Sequence, residues 1–432
     1  MRNIFMEKSK AGVNLLVRDL SRLWRAGAVH ISTSQWLGQG VAIVQRIILA
    51  RILGAANIGH IAVVRSSLAL LQLPAGAGIF TPITKLVAEN SMDNEAQINV
   101  FATGFWFAIC TSSVVALITL IILRTTSLIA DEIARDLLSV IVLFLPLIIL
   151  SEIISSFLAG QQRMRLIAKV RISLSLAGFV SIVFLSYLWG LRGWLVNHVG
   201  WVMLGFCIYL AYVGIKIPLR WNPQVLSRMI RIGVFAFLGQ SVGTILLEFD
   251  TLCISGIMRD AEATGIYNTA AMASQQLMAL VGGILYTVFP YVAKNHNEIR
   301  KLSQSYKELS LKLLLFSCGL GMCAWFVSPW FFPLFGYKFV ASTAPFRILI
   351  VGFFCQGQAV IANTYLDALG RTDIHFAVGL LAAICNIILN ILFIPKWGVM
   401  GAAWATVISL FFSMLLREAA LHYFIFYKGA IQ

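Results

Sequence analysis

Residues 98–123, INVFATGFWFAICTSSVVALITLIIL, contain no charged side chain, and charge returns at both ends with Asp93 and Glu95 before the run and Arg124 after it. As a helix rising ~1.5 Å per residue, this run reaches about 39 Å, enough to cross ~30 Å of hydrocarbon. A water-soluble helix needs a polar face, and this one has none. Comparable runs recur at 29–53, 58–81, 137–158, 166–189, 193–215, 230–256, 264–292, 309–335, 345–368, 374–394 and 398–426. The expected fold is therefore all-α: a polytopic membrane protein of twelve transmembrane helices.

Composition supports that reading. Of 432 residues, 59% are hydrophobic and 12% charged, with a mean hydropathy of +0.86. A soluble domain carries about 25% charged residues. The net charge of +15 reads first as topology and only second as a hint of an anionic partner, and nucleic acid is not expected. Placing the amino terminus in the cytoplasm puts 23 of the 33 lysines and arginines on that side and eight on the other, with Arg46 and Arg65 inside spans. Both termini are then cytoplasmic. The seven cysteines lie in apolar runs without a C-x-x-C pair, so neither a disulfide framework nor a metal site is expected. No removable signal peptide is expected in the polar, basic segment 1–28. Within it, residues 13–27 form a basic amphipathic pattern suited to an anionic leaflet, or serve as an ordinary topogenic tail.

The chain repeats itself. Leu37-Gly38-Gln39-Gly40-Val41 matches Leu238-Gly239-Gln240-Ser241-Val242, and Val87-Ala88-Glu89-Asn90 matches Val292-Ala293-Lys294-Asn295. Trp189-Gly190-Leu191-Arg192-Gly193 matches Trp397-Gly398-Val399-Met400-Gly401. The offsets are 201, 205 and 208. Three matches in one order predict a duplicated six-helix unit: a first bundle over 29–215, a linker over 216–229 and a second bundle over 230–432. Because six is even, the two parallel-repeat bundles surround a central cavity with the substrate path between them.

Polar side chains inside spans mark that path. Arg46 and Arg65 lie at matched depth in spans one and two, and Glu248 lies at a similar depth in span seven. Gln39 with Arg46, Gln72 with Arg65, Gln240 with Glu248, and Asn363 with Asp367 fall on helical stripes. Stripes on helices one, two, seven and ten suggest a shared aqueous cavity; a dry hydrogen-bond seam is the alternative. Glu152 suits either a proton site or a helix–helix hydrogen bond. Arg51 reads as a snorkelling anchor, Lys85 and Asp250 as interfacial, and Asn386 with Asn390 as contact between helices. No histidine pairs convincingly with a carboxylate. There is no P-loop, dinucleotide fingerprint or nucleophile elbow, so a transporter without cofactors is expected rather than an enzyme.

Four segments carry a family resemblance. Arg51-Ile52-Leu53-Gly54 with Ile58-Gly59 resembles the junction of the first two spans in bacterial polysaccharide flippases. Ala75-Gly76-Ala77-Gly78-Ile79-Phe80, with Thr84-Lys85 and Val87-Ala88, resembles the second span of O-antigen and enterobacterial common antigen flippases (Wzx type). Asp250 with Gly265-Ile266-Tyr267, and Pro395 with Gly398 through Thr406, resemble two further segments of that family. The resemblance implies the multidrug/oligosaccharidyl-lipid/polysaccharide exporter fold. It also implies an undecaprenyl-diphosphate-linked glycan as substrate, carried to the outer leaflet of the cell inner membrane by alternating access. A polysaccharide polymerase and a chain-length regulator are the implied partners. On that basis Arg46, Arg65, Gln39 and Gln72 are candidate diphosphate ligands. Glu248, Asp367 and Glu152 are candidate coupling or gating groups, and Lys85, Asp250, Gln240 and Asn363 are secondary candidates. A drug antiporter of the same fold is the alternative.

Overall fold

The computed structural model describes residues 29–213, 219–285, 292 and 299–424. The basic segment 1–28, the first part of the linker and most of the second copy of the V-A-x-N repeat lie outside them. Among the described residues the chain is helical, without strands. The helices are α1 (Val29–Gly76), α2 (Phe80–Glu89), α3 (Asn94–Thr125), α4 (Glu132–Val142), α5 (Leu145–Gly160) and α6 (Met164–Val213). They continue as α7 (Pro223–Met258), α8 (Ala261–Leu285), α9 (Ile299–Phe331), α10 (Thr343–Ala368) and α11 (Thr372–His422). Two short 3-10 segments, Phe332–Phe335 and Tyr337–Ser342, link α9 to α10.

Among the described residues, seven helices are long and apolar enough to cross a membrane, or eight when α4 and α5 count as one span bent by 55°. That bend falls just before Pro146, which supplies no amide hydrogen to a continuing helix. α8 is not among the seven; its described part carries Glu262, Asn268, Gln275 and Gln276.

Three helices are too long for one crossing: α1 has 48 residues, α6 has 50 and α11 has 51. Each contains a glycine with positive φ and non-helical geometry, at Gly54, Gly190 and Gly398. Side chains on the two limbs meet. In α6, Ser181 Oγ donates to Asn197 Oδ1 at 2.6 Å and Trp201 Nε1 donates to Ser181 Oγ at 2.5 Å. Twenty residues of straight helix would separate them by about 30 Å. α6 is therefore a helical hairpin. In α11, a Cβ on Gly379 would lie 3.7 Å from Arg417, so that helix also folds back. The breaks at Gly190 (φ 56°, ψ −132°) and Gly398 (φ 55°, ψ −133°) share one geometry. Three residues on, a Cβ at Gly193 would fall 1.9 Å from the Leu185 carbonyl, and one at Gly401 would fall 2.4 Å from that of Phe393. Both pairs of positions stand 208 apart, so this corner is built the same way twice.

Buried side chains segregate along the chain. One large cluster draws on residues from Leu49 to Met229, and two others on residues from Ile254 to Leu421. The chain halves meet at both ends of the molecule. At one end α1 and α8 touch backbone to backbone: a Cβ on Gly59 would lie 1.8 Å from the Ala261 carbonyl oxygen, and one on Gly265 would lie 2.2 Å from that of Ala55. Ala50, Ala55, Phe335 and Phe339 pack beside this contact, and Arg51 Nε donates to the Leu334 carbonyl at 2.6 Å. Arg51 thus does more than anchor a helix end. At the opposite end the start of α7 and the residues just before it make the bridge, with Arg228–Glu89 and Arg220–Glu95 ion pairs of 2.8 Å.

Near the Gly59 contact, His60 Nδ1 and Asp131 Oδ2 lie 2.6 Å apart, and Asp131 caps α4 by accepting from the Ala134 amide at 3.0 Å. This carboxylate pairing was not foreseen, because 71 residues separate the partners. Burial opposes ionisation of Asp131, but the hydrogen bonds from His60 and the Ala134 amide outweigh it and hold the carboxyl below its ordinary value. A depressed carboxyl contributes stability that is present above its unfolded pKa of 3.8 and is lost as pH falls through the folded value. Asp131→Ala is expected to cost about 1–2 kcal/mol at neutral pH, and Asp131→Asn less because Asn also caps. Thermal melting should show the gap from wild type closing below pH ~4; a gap independent of pH would remove the ionised carboxylate from the account of stability.

Candidate functional site

A cavity of about 570 Å³ lies between the halves, within the range of small-molecule sites. The first half contributes Gln45 and Arg46 from the first limb of α1, Arg65 from its second limb, and Trp194 and His198 from α6. The second half contributes Asn268, Thr269 and Gln276 from α8 and Ser328 from α9. Apolar residues fill the rest of the wall, with Phe331, Phe335 and Phe346 towards the Gly59 contact.

The two arginines reach this cavity because α1 folds back at Gly54. Arg65 is exposed although Val64 and Ser66 on either side of it are buried, so what it faces is the cavity. Arg46 and Arg65 are near enough to repel each other. Neither guanidinium has a hydrogen-bond or ion-pair partner among the described residues. Glu248 lies within electrostatic range of Arg65, yet its carboxylate accepts a hydrogen bond from Ser66 Oγ at 2.7 Å. The first-half wall is thus cationic, whereas the polar groups of the second-half wall are neutral amides and hydroxyls. Two unpaired cations in a membrane-embedded cavity are costly unless an anion joins them.

The other candidates scatter. Gln39 lies in α1, but its side chain is outside the described residues. Gln72 is half-buried and Gln240 exposed, and neither lines the cavity. Glu152 faces Arg171 at 3.5 Å and Lys85 faces Glu89 at 3.9 Å, all four exposed. Asp367 pairs with His375 at 3.1 Å, a second histidine–carboxylate contact, and Asn363 Nδ2 approaches His375 Nε2 at 3.4 Å. The expected contribution of the span-ten stripe to the cavity is therefore corrected: α10 turns its polar residues inside its own half, with Gln358 donating to the Ser310 carbonyl at 3.2 Å.

Asp250 is corrected too. It is not interfacial but 3% exposed, held by Tyr267 Oη at 2.7 Å, Asn390 Nδ2 at 2.6 Å and Thr406 Oγ1. Asn390 Nδ2 also reaches Asn386 Oδ1 at 3.1 Å. This network joins α7, α8 and both limbs of α11. An acceptor-only carboxylate suits three donors. Asp250→Asn turns an amide towards one of them and is expected to destabilise the protein by about 1–3 kcal/mol, read as a lower melting temperature; unchanged melting would remove the network from the account of stability.

Sequence reasoning missed His198, Asn268 and Gln276. His198 stacks on Trp194 at 5.4 Å between ring centroids, and their spacing of four on a helix was the available signal. No group of three His, Cys, Asp or Glu residues able to hold a metal occurs among the described residues.

Residues 24–296 match the polysaccharide biosynthesis protein family. The chain belongs to that family. Among relatives of the chain, the probable low-salt glycan biosynthesis flippase Agl15 of Haloferax volcanii is 22% identical, over 95% of this chain and 85% of its own. The chain spans 54% of another relative, an uncharacterized membrane protein of Methanocaldococcus jannaschii. Among solved structures, lipid II flippase MurJ in an inward closed conformation superposes with a TM-score of 0.75 at 15% identity, over 90% of this chain and 86% of that one. An inward-facing multidrug resistance MATE transporter of the MOP superfamily gives 0.74 at 13% identity, over 89% and 94%. The fold is that of MOP-superfamily transporters.

Proposed function

We propose that the protein is a flippase that moves an undecaprenyl-diphosphate-linked oligosaccharide from the cytoplasmic to the outer leaflet of the inner membrane by alternating access. The observation that carries this reading is the pair of unpartnered guanidiniums, Arg46 and Arg65, in a cavity between the halves. Arginine stays charged and offers paired donors that match phosphate oxygens. A cationic drug would gain nothing from that wall, which disfavours the antiporter reading.

Twelve spans in two parallel six-helix bundles follow when each hairpin counts twice, α4 with α5 counts once and α8 is added as a span. The matched corners at Gly190 and Gly398 support the repeat. The positive-inside bias puts both termini in the cytoplasm, so the Gly59 end faces outwards and the state described here is closed on that side. Glu248, hydrogen-bonded to Ser66 and in the field of Arg65, is the coupling candidate behind the arginine wall; Asp367 with His375 and Glu152 with Arg171 do not line the cavity. Polysaccharide polymerase and chain-length regulator would act on the product outside.

Proteoliposomes test the reading. With labelled undecaprenyl-diphosphate oligosaccharide on one leaflet, the protein should speed its appearance on the other, and deletion of the gene should leave this precursor inside the cell. Flipping at the rate of empty vesicles would overturn the proposal.

A further inference from the structure

The first limb of α6 has an outward face that changes character along its length. Arg165, Lys169, Ile172, Leu176 and Val180 recur at intervals of four, three, four and four, a single helical face, and all five are exposed. Arg165 and Lys169 have no hydrogen-bond or ion-pair partner among the described residues. Arg165 stands in the first turn of α6, where the helix dipole favours acids and disfavours cations. The matching position of the second copy, 208 residues on, is Asp373, an acid in the first turn of α11. The two turns are otherwise alike, with the Arg163 amide donating to the Leu158 carbonyl at 3.0 Å and the Arg371 amide to the Leu366 carbonyl at 2.8 Å. Helix stability therefore does not account for the cation of the first copy, and topology asks for positive charge on this side but not on this face. An anion there would satisfy both the charges and the helix end.

Further along the same face, Phe179, Val180, Val183, Phe184 and Tyr187 form an apolar groove of about 420 Å³ with Ile52 of α1. Leu49 and Ile182, beside Ile52 and Val183, line the central cavity, so groove and cavity adjoin along the seam between α1 and α6. Lys169 and Val183 lie about 21 Å apart along the helix, whereas one leaflet of hydrocarbon is about 15 Å deep. In the orientation proposed above, the cations are level with the cytoplasmic headgroups and the groove lies in the outer leaflet. A phospholipid held at the cations ends its chains near the midplane, short of the groove. A polyprenyl chain continues past it.

We infer that this face of α6 is a docking surface for a polyprenyl diphosphate outside the cavity, with Arg165 and Lys169 holding the diphosphate at the cytoplasmic leaflet and the groove against Ile52 holding the chain. The inference rests on the flippase reading and deepens it. The substrate waits on α6 before its head enters the cavity that Arg46 and Arg65 line.

The test places a photoreactive benzoylphenylalanine at Phe184 of the full-length protein, in phosphatidylcholine nanodiscs containing undecaprenyl diphosphate. Illumination should couple undecaprenyl diphosphate to that position. Arg165→Gln/Lys169→Gln should lower the yield about tenfold, and Arg165→Lys/Lys169→Arg, which keeps both charges, should preserve it. An unchanged melting temperature shows that the variants are folded. Farnesyl diphosphate, the same head on a chain too short for the groove, should not be coupled. Coupling of phosphatidylcholine alone, a yield indifferent to the Gln pair, or equal coupling of farnesyl diphosphate would each overturn the docking surface. If any of these occurs while flipping proceeds in proteoliposomes, the docking surface is wrong and the flippase reading stands. If the wild type does not flip, the flippase reading itself falls.

Discussion

Replacing Arg46 and Arg65 together with alanine is expected to weaken binding of undecaprenyl diphosphate by about a hundredfold or more and to stop flipping. Hydrogen bonds to charged groups contribute about 1.5–3 kcal/mol each, and each 1.4 kcal/mol is tenfold. Arg→Lys at either position should retain part of the binding, since lysine keeps the charge but loses the planar fork. A competing idea is that Glu248 neutralises the arginines and all three merely lock the cavity shut. Glu248 instead spends a carboxylate oxygen on Ser66 at 2.7 Å, and no ion pair within 4 Å ties it to either guanidinium among the described residues. A lock predicts that Glu248→Ala rescues Arg46→Ala. An anion site predicts no rescue, because removing the acid does not restore a donor. Wild-type affinity in Arg46→Ala/Arg65→Ala would end the anion-site proposal.

That site was only half legible in the sequence. Charges within apolar runs are conspicuous, and the short gaps after residues 53, 189 and 394 marked the places where α1, α6 and α11 break at glycine. Matched depth in two limbs of one hairpin then put Arg46 and Arg65 together. Periodicity, however, shows only that a helix has a polar face, never which neighbour that face meets. For that reason the stripe of Asn363 and Asp367 was assigned to the cavity when it faces its own half. Asp250 depends on Tyr267, Asn390 and Thr406, up to 156 residues away, and pairings at such range leave no local trace. Neutral cavity residues such as Asn268 and Gln276 are common helix–helix contacts in membranes, so nothing in one sequence singles them out.

The second large effect should come from residues without side chains. Gly59→Val and Gly265→Val are each expected to prevent closure at the end where α1 meets α8, and so to cut flipping drastically while leaving the arginine wall intact. A Cβ on Gly59 would stand 1.8 Å from a backbone oxygen of Ala261, and one on Gly265 would stand 2.2 Å from that of Ala55. No rotamer change relieves a clash with backbone, so the helices must separate. A shift from 99:1 closed to 1:99 needs about 5.5 kcal/mol, which an overlap this deep in a close-packed interface is expected to exceed. Gly243→Val is the control, since a Cβ there meets nothing within 4 Å. The readout is labelling of a cysteine placed at Ala324, in the cavity wall, in a chain whose seven native cysteines have been replaced. A membrane-impermeant maleimide added on the Gly59 side should leave it unlabelled in the parent and in Gly243→Val, and label it in Gly59→Val and Gly265→Val. Because an alternating transporter must close each side in turn, permanent access from the Gly59 side should coincide with lost flipping. Continued protection with normal flipping would mean that the α1–α8 contact is fixed scaffold and that the gate lies elsewhere.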